Sequence, residues 1–281
     1  MRKSKNNSPN KIGQVIFLLF VIIISVGGLF IWKLGLLEKN WDGKTSFNIS
    51  VIDKNKKIFI WSYNPTKQQS YILRIPSDLY LETINEKGKV RAGKLFELGQ
   101  LDKKGGELVR FTLQKELGLI IDGYYCEETN LTDLSMPDLY SHFLLKFTKK
   151  NEEINLTGLT DLVLADGEKV FTLTYDDTDK FIRKYFYDQI LGEDRAKVII
   201  LNATGKEGVG GKLARIINNV GLNVAYIGNK ETFLSKSKIL APEKSSTVKK
   251  LLQVMRLKEF EVNKESPDIT IEIGTGYLPY Q

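Results

Sequence analysis

From Val15 to Trp32 the chain reads VIFLLFVIIISVGGLFIW, apolar throughout and without a charge. Hydrocarbon leaves no water to satisfy a backbone, so a lone run of this kind is stable there only as a helix. At 1.5 Å per residue these 18 residues span roughly 27 Å, about one bilayer core. Arg2, Lys3, Lys5 and Lys11 precede the run, and no acid occurs before Glu38. That bias predicts a cytoplasmic N-terminus, with the chain from about residue 40 outside the cell. Trp32 and Trp41 are candidate interfacial anchors. The run is longer than a usual signal-peptide core, and the following WKLGLL offers no small-residue cleavage site, so the pattern favours an uncleaved anchor.

Beyond a short linker the pattern changes to that of a folded domain. Phe47–Val51 alternates apolar and polar residues, and Lys57–Tyr63 is β-branched and aromatic. After the turn at Asn64-Pro65-Thr66-Lys67 comes Ser70–Ile75, which Pro76 ends. These residues predict a β-meander. A helix is expected from Gly106 to Leu117, with Val109, Leu113 and Leu117 on one face and Gly118 as its C-terminal cap. Leu119–Ile121 reads as a short strand. Pro137 starts a helix with Leu139, Phe143 and Leu144 on one face. Glu168–Tyr175 reads as a strand, and Thr178–Ile190 as a helix burying Phe181, Tyr185 and Phe186.

A second α/β segment begins near Arg195. Strands are expected at Lys197–Leu201, Asn223–Ile227, Ser237–Leu240 and Ile269–Ile273. One helix carries Leu213, Ile216, Ile217 and Val220. Another, capped by Ser245 or Ser246, carries Val248, Leu251, Leu252 and Met255. The order βαββαβ predicts a small sheet with both helices on one face. The fold class is therefore α/β (α+β): a single transmembrane helix, a mixed-sheet domain, and this smaller domain. The length after the anchor suffices for two modest domains with their own cores.

Composition removes several function classes. The formal net charge is +7, but four of the 41 basic residues precede the apolar run without an acid. The remaining 37 face 34 acids, a net of +3. The lysines are scattered, which argues against a nucleic-acid partner. Cys126 is the sole cysteine and His142 the sole histidine. An intramolecular disulfide, a Cys/His zinc site and a Cys-His or Ser-His-Asp triad are excluded. The sequons at Asn48, Asn130, Asn155 and Asn202 matter only in a host that glycosylates them.

Val198-Ile-Ile-Leu-Asn-Ala-Thr-Gly205, then Gly208, an amphipathic helix and Val220-Gly-Leu-Asn-Val224 resemble the C-terminal domain of LytR-CpsA-Psr proteins. The first domain resembles a shortened transferase domain of the same family. The residues that carry this are Arg74-Ile-Pro-Ser-Asp78, Lys89-Val-Arg-Ala-Gly93, Gly105-Gly106, and Leu117-Gly-Leu-Ile-Ile-Asp-Gly-Tyr-Tyr125. The apolar run and its basic flank set a cytoplasmic tail at 1–14, a transmembrane helix at 15–32 and a linker at 33–46. A divergent LytR-CpsA-Psr-like domain follows at 47–194, then a LytR C-terminal-like domain at 195–281. In that family an arginine before the motif aspartate binds the pyrophosphate of a lipid-linked glycopolymer. This chain has Ser77 there, Arg91 in place of an asparagine, and only Arg183 and Arg195 between residues 127 and 195. Phosphoryl transfer needs clustered positive charge.

The resemblance, with these departures, implies a membrane-anchored envelope protein that binds or scaffolds without catalysis. Its partners would be cell-wall polymer, envelope proteins or a polyprenyl-phosphate-linked glycan. The alternative is a Mg²⁺-dependent phosphotransferase attaching lipid-carrier-linked glycopolymers to peptidoglycan. Arg74, Asp78, Lys89, Arg91 and Lys94 are the candidate ligand-binding residues; no catalytic or metal-ligating set is assigned, and no cofactor is expected unless the alternative holds. Gly205–Lys212 fails the P-loop spacing and reads as a glycine-rich turn. Asp176, Asp177 and Asp179 read as an acidic helix start with an N-cap.

Overall fold

The computed structural model describes residues 15–22, 39–84 and 87–280. Residues 15–22 are helical and exposed. The remainder of the expected transmembrane run, Trp32 included, and the basic tail lie outside the described residues. Among the described residues no helix is long and apolar enough to cross a membrane.

The chain divides into two units, one formed by residues 1–40 and 135–142, the other by 41–134 and 143–281. In the first, Ser135 caps a helix. Its Oγ accepts from Asp138 N at 3.3 Å and donates to Asp138 Oδ2 at 2.7 Å. The same carboxylate oxygen accepts from Asn40 N at 3.0 Å.

The second unit holds two five-stranded sheets. The first is built on the expected meander, β1 (Phe47–Ile52), β2 (Ile58–Asn64) and β3 (Gln69–Arg74). The short strands β4 (Tyr80–Glu82) and β5 (Lys89–Arg91) form a separate antiparallel pair. Helices α1 (Ala92–Gln100) and α2 (Gly105–Leu117) follow, then β6 (Gly123–Cys126), parallel to β1. Gly118 closes α2 in the left-handed region at φ +64°, as its position predicts. Helix α3 spans Met136–Thr148, and β7 (Asn151–Asn155) runs parallel to β3. A hairpin of β8 (Leu159–Val163) and β9 (Lys169–Leu173) leads to α4 (Tyr175–Phe186) and the short α5 (Gln189–Glu193).

The second sheet has the order β11-β10-β14-β12-β13. Strand β10 (Lys197–Asn202) runs parallel to both β11 (Asn223–Asn229) and β14 (Ile269–Ile273). Strand β12 (Lys238–Ala241) is antiparallel to β14, and β13 (Glu261–Val262) is a two-residue addition absent from the expected order. Helices α6 (Val209–Asn219) and α7 (Ser246–Met255) complete the motif. Val198, Ile200, Ile239, Ile269, Ile271 and Ile273 are buried, whereas the alternating Ile199, Leu201, Leu240 and Thr270 are partly open. That alternation is the signature of a sheet covered on one face, which agrees with two helices on the same side.

Several expectations are corrected. The two α/β segments do not have separate cores. One continuous cluster runs from Ile52, Leu73 and Leu113 through Ile182 to Leu213, Ile217, Leu251 and Ile271. Leu119–Ile121 is not a strand but a buried connector into β6. The helix expected at 178–190 breaks after Phe186, because Asp188 turns its carboxylate to Leu191 N and starts α5. Asp176 and Asp177 lie in the first turn of α4, whose N-cap is Thr174; its hydroxyl bonds Thr160 Oγ1 at 2.9 Å and does not cap the helix. Trp41 is no interfacial anchor. Its ring stacks on Phe47 at 4.9 Å, its Nε1 donates to Thr45 O, and it is 7% exposed. Residues 41–46 therefore belong to the fold and not to a free linker. On α3, Asp138 and His142 are buried while Leu144 is exposed, which shifts the inward face from the one expected.

Candidate functional site

The motif Arg74-Ile75-Pro76-Ser77-Asp78 leaves β3 at Pro76, which has no N–H to offer the ladder. Leu79 N donates to Pro76 O at 3.1 Å and closes a turn with Ser77 and Asp78 exposed at its tip. The start of α1 is tied to that turn. Ala92 N donates to Leu79 O at 2.7 Å, and Gly93 N to Ser77 O at 2.9 Å. A β-carbon on Gly93 would lie 3.1 Å from Ser77 Cβ, so the glycine lets the two backbones approach. Strand β9 closes the other side through Phe171 N to Asp78 O at 3.0 Å. The fold thus brings Ser77 and Asp78 beside Arg91 and Lys94.

Carboxylates engage three of the four candidate cations. The Arg74 guanidinium grips Glu153 of β7 with Nε at 3.1 Å and Nη2 at 2.8 Å. Arg91 is ion-paired with Glu168 from the β8–β9 hairpin. Lys94 Nζ lies 3.1 Å from Glu97, which also holds Lys56 at 3.0 Å; those two lysines pull the exposed Glu97 carboxyl below its ordinary range. Lys89 is exposed on β5. Arg91 Nε is enclosed without a hydrogen-bond partner, so one donor at this site remains unused. A shallow groove of about 380 Å³ adjoins the turn, lined by Phe59, Arg74, Pro76, Ser77, Asn155 and Leu159 among others.

Mg²⁺ needs several oxygen ligands in near-octahedral array. Among the described residues no three Asp, Glu, His or Cys side chains gather to hold a metal ion. Glu153 and Glu168 are each engaged by an arginine.

The glycine and aspartate positions of the first-domain pattern serve packing. A β-carbon on Gly105 would press on Phe96, and one on Gly106 would enter the Tyr124 ring. The Asp122 side chain is buried and accepts from Asn48 N at 2.8 Å. In the second segment, Asn202 organises the Asn-Ala-Thr-Gly turn from within. Its Oδ1 accepts from Thr204 N at 3.1 Å, and its Nδ2 donates to Lys206 O at 2.8 Å. Gly205 and Gly208 take positive φ there, +75° and +78°, which agrees with a turn needing glycine for its backbone.

Residues 195–277 match the family model described as LytR cell envelope-related transcriptional attenuator. Solved structures similar to this chain include Bacillus subtilis TagT, at 14% identity and a TM-score of 0.41 over 52% of this chain and 91% of that one. The chain resembles the LytR-CpsA-Psr family. Another TagT structure, described with bound octaprenyl pyrophosphate lipid, shares 16% identity and a TM-score of 0.42 over 52% of this chain and 91% of that one. A transcriptional regulator from Enterococcus faecalis shares 10% identity and a TM-score of 0.40 over 63% and 88% of the two chains. No curated protein matches the sequence. Glu97 lies three residues after Lys94 on α1, whereas the carboxylates that occupy Arg74 and Arg91, Glu153 and Glu168, come from β7 and the β8–β9 hairpin, outside every motif. No local signal marks them.

Proposed function

We propose that this is an envelope protein tethered by its N-terminal apolar run, which binds wall polymer or envelope partners and does not transfer glycopolymer. One observation carries the reading. Where the resemblance places an anion-binding arginine the chain has Ser77, and Arg74, Arg91 and Lys94 beside it are each held by a glutamate. A pyrophosphate entering this site would have to displace carboxylates already paired, and it would find no clustered charge to stabilise its transition state. The C-terminal match to an envelope-related family supports the address.

The test uses the full chain in detergent. It is mixed with a polyprenyl-pyrophosphate-linked glycopolymer and Mg²⁺, and separately with insoluble peptidoglycan. The expected result is co-sedimentation with peptidoglycan and no release of polyprenyl phosphate. Turnover that Asp78→Ala abolishes would establish the transferase reading instead.

A further inference from the structure

Helix α3 carries an apolar stripe on its exposed face. Met136, Tyr140 and Leu144 follow at i, i+4 and i+8, and Phe147 falls on the same side; they are 58%, 68%, 48% and 82% exposed. At 100° per residue the four side chains lie within one narrow sector. Such a stripe is unusual on water-facing helices, where polar residues hold that face. Lys146, Lys149 and Lys150 follow one another in sequence at and just beyond its C-terminal end. Lys146 lies 3.6 Å from Glu127, and Lys149 donates to Gln68.

The position of the helix in the chain indicates what covers this face. Asn40 N donates to Asp138 Oδ2 in the first turn of α3. Asn40 lies eight positions after Trp32, the end of the apolar run, and eight steps of chain reach at most about 28 Å when fully extended. The start of α3 is therefore tied within a short leash of the point where the chain would leave a bilayer. An apolar face on a helix tied this close to the membrane exit is the arrangement of a helix lying in a membrane interface.

We propose that α3 docks on the outer surface of the lipid bilayer through Met136, Tyr140, Leu144 and Phe147, holding the folded domains against the membrane and not at the end of a free tether. The proposal rests on the anchoring reading of residues 15–32, and the experiment separates the two. The full chain with Cys126→Ala is inserted into nanodiscs of phosphatidylethanolamine and phosphatidylglycerol. A nitroxide is attached at Tyr140→Cys, Phe147→Cys or, as a water-exposed reference, Asp161→Cys. Relaxation by a water-soluble nickel chelate should be lost at 140 and 147 and kept at 161. In a Met136→Cys label, adding Tyr140→Ser, Leu144→Ser and Phe147→Ser should restore nickel access; these side chains are exposed, so the fold is expected to survive. Nickel access at 140 and 147 equal to that at 161, in protein that stays with the discs, overturns the docking alone. Protein that elutes apart from the discs overturns the anchor and the docking together.

Discussion

Lys250 of α7 extends its ammonium group to Asp122, just before β6, at 2.5 Å, and both side chains are almost completely buried, 3% and 2% exposed. The lysine also donates to Ser46 O at 2.7 Å. This pair joins the LytR C-terminal-like segment to the first sheet through groups 128 residues apart. Removing one partner from a buried pair leaves an uncompensated charge, at a cost of about 3–5 kcal/mol. Lys250→Met should destabilise by that amount in urea unfolding, and the double variant with Asp122→Asn should recover most of the loss.

Burial pushes the Asp122 carboxyl above its ordinary 3.8, with Lys250 acting in the opposite direction. An acid whose folded value is raised binds its proton more tightly in the native state. Its stabilising term is complete below 3.8 and disappears as pH rises through the folded value. Asp122→Asn lacks that term. The stability of the wild type relative to this variant should therefore fall as pH rises above 3.8, read from urea midpoints at each pH.

Arg215 of α6 binds Asp179 and donates to Lys115 O and Glu116 O at the end of α2, at 3.1 and 3.2 Å. It satisfies carbonyls that a helix terminus otherwise leaves orphaned. Asn219 adds a bond to Gly118 O at 3.1 Å. With these contacts and the shared core removed, residues 195–281 expressed alone should expose apolar surface that the first segment now covers. The expected outcome is strong binding of a hydrophobic dye and weak near-ultraviolet dichroism; a native-like spectrum would show an independent core.

Glu168 occupies Arg91 in a half-exposed pair. Glu168→Gln combined with Ser77→Arg should change stability by less than about 1 kcal/mol, the usual worth of such pairs. Pyrophosphate affinity should rise roughly tenfold by calorimetry, the equivalent of one new charge-assisted contact. An unchanged affinity would show that the turn does not form an anion site even with its cations freed.

Gly106→Ala places a methyl group in the Tyr124 ring. The expected loss is about 1–3 kcal/mol, typical of overpacking, with a lowered thermal midpoint.

The sequence by itself determined the meander, the helix ending at Gly118, the two amphipathic helices of the second segment and the turn at Asn202. Each rests on local causes: side-chain periodicity, a glycine able to take positive φ, or a polar side chain folded back on its own backbone. Only the tertiary structure decided that the two segments share one core, because periodicity marks an apolar face without naming what covers it. It also decided that Trp41 packs inside, that α3 turns Met136, Tyr140 and Phe147 outward, and that Glu153, Glu168 and Glu97 hold the candidate cations. Ser77 was legible as a missing charge. The cancellation of the remaining charges was not, because two of the three carboxylates come from strands and hairpins more than 70 residues away, and pairing at that range leaves no period in the chain.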